Sequence, residues 1–244
     1  MNQTINELFN RKSIRQYEER QIEEEKKKTI LKSAIQAPTA GNMCLYSIID
    51  ITNQDIKDKL AITCDNQPFI AKAPMVLIFC ADYSRWYKAF TNVEDEVRKP
   101  GSGDMILAIA DAIIAAQNTV VAAESLGIGS CYIGDILENY EIHKELLKLP
   151  KYVIPVAMLV YGYPTKQQQE RIKPKRLDIE DLVYENTYNS SKQNIFIELI
   201  GKLYDKENED LTIFLKAFCK RKWNSEFSKE MTRSVEEMIK GWIE

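Results

Sequence analysis

Apolar residues recur at helical spacing over residues 5–9 and again over 22–37. In the second run Glu23, Glu24, Glu25, Lys26, Lys27 and Lys28 fall on exposed turns, so both segments are predicted helices with a solvated face. Pro38 and Gly41 break the pattern in APTAGN, and SIIDIT follows as a strand. Residues 55–64 return to helical spacing. APMVLIFCAD, residues 73–82, carries the strongest buried-strand pattern of the chain, bounded by Pro74 and Asp82. Strands and helices therefore alternate, which predicts a mixed α/β architecture.

Residues 104–126, DMILAIADAIIAAQNTVVAAESL, are helical, apolar nearly all round and stopped by Gly127 at the expected C′ position. Asp111, Gln117, Asn118 and Glu124 interrupt the apolar run. A central helix packed against a sheet and a second subunit is the better reading than a membrane span. Strands are predicted at 129–133 and 152–163, the latter ending at Pro164. Beyond Tyr188 a polar NSSKQN stretch leads into helical segments at 195–203, 211–219 and 231–243. There is no internal repeat and no strong linker.

Composition narrows the chemistry. With 45% hydrophobic and 28% charged residues, 244 residues can bury a substantial core. A net charge of −3 offers no general attraction to nucleic acid or to anionic membranes. The five cysteines, Cys44, Cys64, Cys80, Cys131 and Cys219, are scattered, with no CxxC pair. They read as cytosolic thiols, and the absence of a signal-like N-terminal stretch predicts a cytoplasmic protein. His143 is the single histidine; among Glu141, Lys144 and Glu145 it is predicted to be a solvated surface residue. That removes Ser-His-Asp, Cys-His and multi-histidine metal mechanisms, and no metal site is expected.

Arg11, Lys12, Ser13 and Arg15 place three cations and a hydroxyl within RKSIR. Arginine forks beside a hydroxyl suit a phosphate monoester, although this segment alone reads more readily as a basic surface loop. Three further features change that balance. APTAGN is a small-residue turn able to approach a flat ligand, DNQPF supplies Gln67 ahead of a buried strand, and GIGSCYIGD supplies Gly127, Gly129 and Gly134 around a strand end. These glycines do not fit the spacing G-x-G-x-x-G and lack the acidic partner of a dinucleotide-binding βαβ unit.

Taken in order, RKSIRQY, QAPTAGNM, DNQPFIAKAPMVLIFCAD, AAESLGIGSCYIGD, PVAMLVYGYP and KPKRLDIEDLVYENTY resemble the nitroreductase family, in its NADPH-linked nitroreductase and flavin reductase branch, over residues 5–188. The resemblance implies an α+β fold: a three-layer sandwich with a mixed, mainly antiparallel sheet flanked by helices, forming an intertwined homodimer with helix 104–126 in the interface. It implies an FMN-binding domain over 1–188 and a helical C-terminal extension over 189–244 that packs on the core or the partner subunit. Residue by residue, Arg11, Lys12, Ser13 and Arg15 match the FMN phosphate and ribityl segment. Thr39 matches a small hydroxyl residue that contacts flavin from the partner subunit, and Gln67 a side chain that hydrogen-bonds the isoalloxazine edge. Tyr132, Ile133, Gly134 and Asp135 match the segment whose backbone amides lie beside the ring's N5 and O4. Lys173, Lys175 and Arg176 match a late basic motif that closes on the phosphate.

The resemblance further implies ping-pong hydride transfer from NADPH or NADH, through FMN, to a small electron-poor acceptor such as a nitroaromatic, a quinone or a free flavin. No catalytic side chain is required, because the chemistry resides at the cofactor. A non-catalytic flavin-binding or regulatory module of the same fold is the alternative. Two departures from the family pattern stand out: Cys44 replaces the usual Gln and reads as a small buried hydrophobe, and KPKR replaces KPR, so that Lys175 or Arg176 takes the arginine position. Lys166, Arg171, Arg221 and Arg233 are the cations considered for a nicotinamide 2′-phosphate, each of them more simply a surface charge.

Overall fold

In the computed structural model, which describes residues 1–244, all eight residues of the strand Met75–Asp82 are buried. It is the second of four strands, β1 (Tyr46–Asp50), β2 (Met75–Asp82), β3 (Gly129–Ile133) and β4 (Val153–Gly162), paired antiparallel in the order β1-β2-β4-β3. The mixed character comes from an isolated parallel bridge, Ser13 to Ser130, at the β3 edge.

Two compact units divide the chain, Met1–Arg171 with Glu230–Glu244 and Ile172–Lys229. The first holds the sheet and helices α1 (Gln3–Asn10), α2 (Glu24–Ile35), α3 (Gln54–Thr63), α4 (Pro68–Lys72), α5 (Ser84–Thr91), α6 (Ser102–Ser125), α7 (Tyr140–Leu146) and α8 (Lys166–Glu170). The second holds α9 (Ile179–Leu182), α10 (Ser191–Asn194), α11 (Phe196–Tyr204) and α12 (Asn208–Lys222). Helix α13 (Glu226–Ile243) starts in the second unit and from Glu230 belongs to the first.

Side chains of successive strand residues point to opposite faces, and both faces of this sheet are covered. Leu77, Phe79, Leu159 and Tyr161 pack with Ile30 and Ala34 of α2 and with Ala112, Ala115 and Ala116 of α6. The intervening Val76, Ile78, Cys80, Met158 and Val160 pack with Leu60 of α3 and Ile70 of α4. The result is the α+β three-layer sandwich expected from the resemblance. Alanines along α6 let this helix lie close against the sheet, and Gly127, at φ +73°, turns the chain into β3.

A third cluster joins Leu45, Met105, Ala108, Tyr152 and Ile154 to Met238 and Trp242 of α13. The sequence boundary at 188 thus falls inside the second unit, and residues 230–244 return to the first because Trp242 and Met238 complete this cluster. Within the second unit, Tyr204 and Phe214 stack at 4.6 Å between α11 and α12.

Helix α7 corrects the reading of His143. The imidazole is fully buried: its Nδ1 donates to the Ile136 carbonyl (3.1 Å), and its Nε2 meets the Thr63 hydroxyl (2.8 Å). Glu141 and Glu145 of the same helix differ in exposure from it because a seven-residue helix buries one side only. The opposite face of α6 is the uncovered one: Ile106, Leu107, Ile113 and Ile114 are exposed, Ile106 by 64%.

Candidate functional site

The segment after α1 runs beside β3. Ile14 donates its amide to the Ser130 carbonyl at 2.9 Å, and the Tyr17 hydroxyl donates back to the Ile14 carbonyl at 2.7 Å. The approach requires glycine at position 129, since a Cβ there would stand 2.5 Å from Ile14 Cγ1. RKSIR is thereby stitched to the sheet edge and does not form a free surface loop.

Within it the cations are placed differently. Arg11 is half-buried, and its Nε and Nη2 are buried without a hydrogen-bond partner. Ser130, bridged to Ser13, also has a buried hydroxyl without a partner. Unpartnered buried donors are costly, roughly 1–3 kcal/mol each and more when charged, so Arg11 Nε and Nη2 are donors that an anion from outside the chain could satisfy. Lys12 instead donates to the Gln169 carbonyl (2.6 Å) and to the Arg171 carbonyl, fixing the end of α8. Arg171 in turn donates to the Ser13 carbonyl. Arg15 is exposed.

The loop between α2 and β1 is organised by a residue that the sequence singled out only as an interruption of an apolar helix. The Asp111 carboxylate, 3% exposed, accepts from the Thr39 hydroxyl, from the Ala40 amide (3.1 Å) and from the Leu45 amide (3.1 Å). Thr39 Oγ1 also accepts from the Cys44 amide at 2.9 Å, so its hydroxyl is already engaged within its own loop. Trp86 caps the Met43 carbonyl (2.7 Å), and Arg85 donates to the Cys44 and Tyr46 carbonyls. These contacts hold Gly41, Asn42 and Cys44 in left-handed conformations at φ +55°, +57° and +49°. Cys44 is half-buried.

Gln67 follows two left-handed residues, Asp65 and Asn66, and precedes Pro68 at the start of α4. Its Nε2 donates to the Cys64 carbonyl (2.8 Å) and to Asp135 Oδ2 (3.0 Å). The fold therefore joins two residues that the sequence placed on separate motifs. Ile133 is buried at the end of β3, and Gly134 opens a single 3-10 turn through Leu137. Tyr132 is half-buried; its hydroxyl faces Gln117 at 3.4 Å, and burial pushes its pKa up to about 12 against the opposing charge of Arg11. Ser13 thus bridges to β3, the charge of Arg11 acts on Tyr132 within that strand, and Gly134 and Asp135 lie on the turn that leaves it, where Asp135 meets Gln67.

Lys173, Lys175 and Arg176 lie in the second unit, where Lys175 is paired with Asp205 (2.6 Å) and Arg176 is exposed. Among the cations considered for a 2′-phosphate, Arg233 forks between Glu141 and Glu230, and Lys166 lies 3.8 Å from Glu170.

Comparison with known proteins agrees with this geometry. The sequence profile of the nitroreductase family matches residues 8–163. An FMN reductase (NADPH) of Bacillus subtilis is 33% identical over 191 residues, covering 78% of this chain and 76% of that protein. An oxygen-insensitive NADPH nitroreductase of Salmonella typhimurium is 32% identical over 188 residues, covering 77% and 75%. Among solved structures, Bacillus megaterium NfrA2 superposes with a TM-score of 0.80 at 30% identity, covering 100% of this chain and 99% of that one. The NADPH:FMN oxidoreductase of Vibrio harveyi complexed with NAD+ superposes with a TM-score of 0.76 at 26% identity, covering 98% of each. With its profile matched across the sheet and the β3 edge, and with relatives above 30% identity over three-quarters of its length, the chain belongs to the nitroreductase family.

Proposed function

We propose that this chain is an FMN-dependent NAD(P)H oxidoreductase that works as a cytoplasmic homodimer and reduces small electron-poor acceptors such as nitroaromatics, quinones or free flavins. The observation that carries the reading is Arg11, half-buried with its Nε and Nη2 buried and unsatisfied by the chain itself, on a segment stitched to the β3 edge. Relatives named as an FMN reductase and an NADPH nitroreductase support catalysis over a purely flavin-binding role.

FMN supplies hydride transfer between nicotinamide and acceptor. The residues of the chain bind, orient and shield. Arg11, Ser13 and Arg15 receive the phosphate and ribityl chain, while Lys12 holds the α8 end that borders them. Gln67 addresses the heterocycle's polar edge, and the backbone of Tyr132, Ile133, Gly134 and Asp135 offers amides where negative charge develops. Thr39 acts through the loop it anchors, presented to the partner subunit. His143 is assigned no proton transfer, because both of its ring nitrogens are bonded inside the core.

The exposed stripe of Ile106, Leu107, Ile113 and Ile114 on α6 supports the dimer, since a row of large apolar residues at helical spacing is ordinarily covered. The test is FMN titration of the purified protein followed by anaerobic addition of NADPH or NADH. Binding, bleaching of the flavin and its reoxidation by a nitro compound or quinone are expected. A protein that binds no FMN refutes the reading, and one whose bound FMN neither nucleotide bleaches is the non-catalytic module.

A further inference from the structure

The two N–H groups of the Gln67 carboxamide are both directed into the protein, one to the Cys64 carbonyl and one to Asp135 Oδ2. An amide held by its nitrogen has its carbonyl oxygen left to offer. We propose that Asp135 is a positioning residue that fixes the polarity of Gln67, so that Gln67 presents Oε1 as an acceptor and selects a planar heterocycle bearing an N–H on its polar edge. This rests on the FMN reading above, in which that N–H is the imide N3–H of the flavin.

The surroundings explain why Asp135 suits the task. It lies in the 3-10 turn that leaves β3, and its carbonyl accepts the Glu138 amide at 3.0 Å, which closes that turn. Gln67 is fixed independently, its own amide donating to the Ala61 carbonyl at 2.8 Å. The two elements meet through one side-chain bond between residues 68 positions apart. Glu138, 5% exposed and with a buried Oε1 that has no partner, sits on the same turn. Burial, then the charge of Asp135, raises its pKa to about 7, with Asp65 and Glu230 adding to the effect. A carboxylate accepts and never donates, so Asp135 can meet only the nitrogen end of the Gln67 amide.

Asp135→Asn relaxes this constraint at constant shape. The asparagine can turn its Nδ2 toward Gln67, which leaves the Cys64 carbonyl alone to hold the amide, and an orientation with Nε2 toward the ligand, where it opposes an N–H, becomes accessible. The experiment measures dissociation constants of the full-length protein for FMN and for N3-methyl-FMN, which lacks the donor. Wild type is expected to favour FMN strongly. D135N is expected to bind FMN up to about tenfold more weakly, the size of one neutral hydrogen bond, and to show a several-fold smaller preference for FMN over the methylated probe. Gln67→Leu, which leaves Asp135 in place, is expected to compress the same ratio. A wild-type ratio in D135N overturns the proposal; a wild-type ratio in Q67L does so too, including where D135N does not fold. Absence of FMN binding in the wild type refutes the functional reading itself, whereas normal binding with unchanged ratios in the variants refutes only the role of Asp135.

Discussion

The Asp111 carboxylate, buried in α6, accepts a hydrogen bond from the Thr39 hydroxyl 72 positions earlier in the chain, and so ties the loop before β1 to the central helix. The same carboxylate serves the Ala40 and Leu45 amides. Asp111→Ala leaves these donors buried and unpaired, and it is expected to cost about 3 kcal/mol in urea unfolding. Asp111→Asn keeps one acceptor oxygen and is expected to lose about half as much. A D111A protein as stable as wild type would show that the loop stands without its anchor.

Arg11 should trade stability against binding. Arg11→Met removes the buried unpaired donors and keeps a long apolar stem. The FMN-free protein is expected to melt at the same temperature or higher, while FMN affinity falls at least tenfold, about 1.5–3 kcal/mol for lost charged hydrogen bonds. Differential scanning fluorimetry and flavin fluorescence titration, run on the same preparation, check both halves. Lower melting with intact FMN binding would assign Arg11 to the scaffold.

Gly129 supports the same segment sterically. Gly129→Ala sets a methyl 2.5 Å from Ile14 Cγ1, which pushes RKSIR off the strand edge. A loss of about 1–3 kcal/mol is expected from this overpacking, together with weakened FMN binding. Because Ile14 is the obstacle, adding Ile14→Ala should restore part of the FMN affinity in the double variant, even though the single Ile14→Ala change itself creates a cavity.

Two buried groups give opposing pH slopes. Glu138 has its pKa raised from 4.5 to about 7, so the folded state holds this proton more tightly; that contribution is complete below about pH 4.5 and is lost as pH rises through about 7. His143 is shifted the other way, mainly by burial, so the folded state resists its protonation and stability falls as pH drops below its ordinary value of 6.5. Between these limits the slopes partly cancel. Glu138→Gln removes the first, and its stability is expected to rise more steeply than that of wild type from about pH 5 to about pH 7 in urea titrations. Parallel profiles would assign the wild-type behaviour to other groups.

The layers of the fold are written locally. MVLIFCAD reads as a buried strand because all eight of its residues are buried, and α6 ends where Gly127 turns left-handed. The site is written less locally. Ser13 meets Ser130, Thr39 meets Asp111 and Gln67 meets Asp135 across long stretches of chain, and periodicity carries no information about which distant residue will satisfy a polar group. Family resemblance marked most of these positions, yet it did not pair them. The misreading of His143 has the same origin: Glu141, Lys144 and Glu145 make a polar neighbourhood in sequence, whereas the helix turns His143 onto Ile136 and Thr63. Asp111 carried a signal in plain view, since an ionisable residue inside a long apolar helix needs a partner there.

Trp242 of α13 rests against Tyr152 at 5.7 Å between ring centres and donates to the Gly101 carbonyl at 3.2 Å, just before α6 begins. A chain cut before residue 230 therefore lacks the two side chains, Met238 and Trp242, that cover Tyr152, Met105 and Leu45, and it exposes that apolar hollow to water.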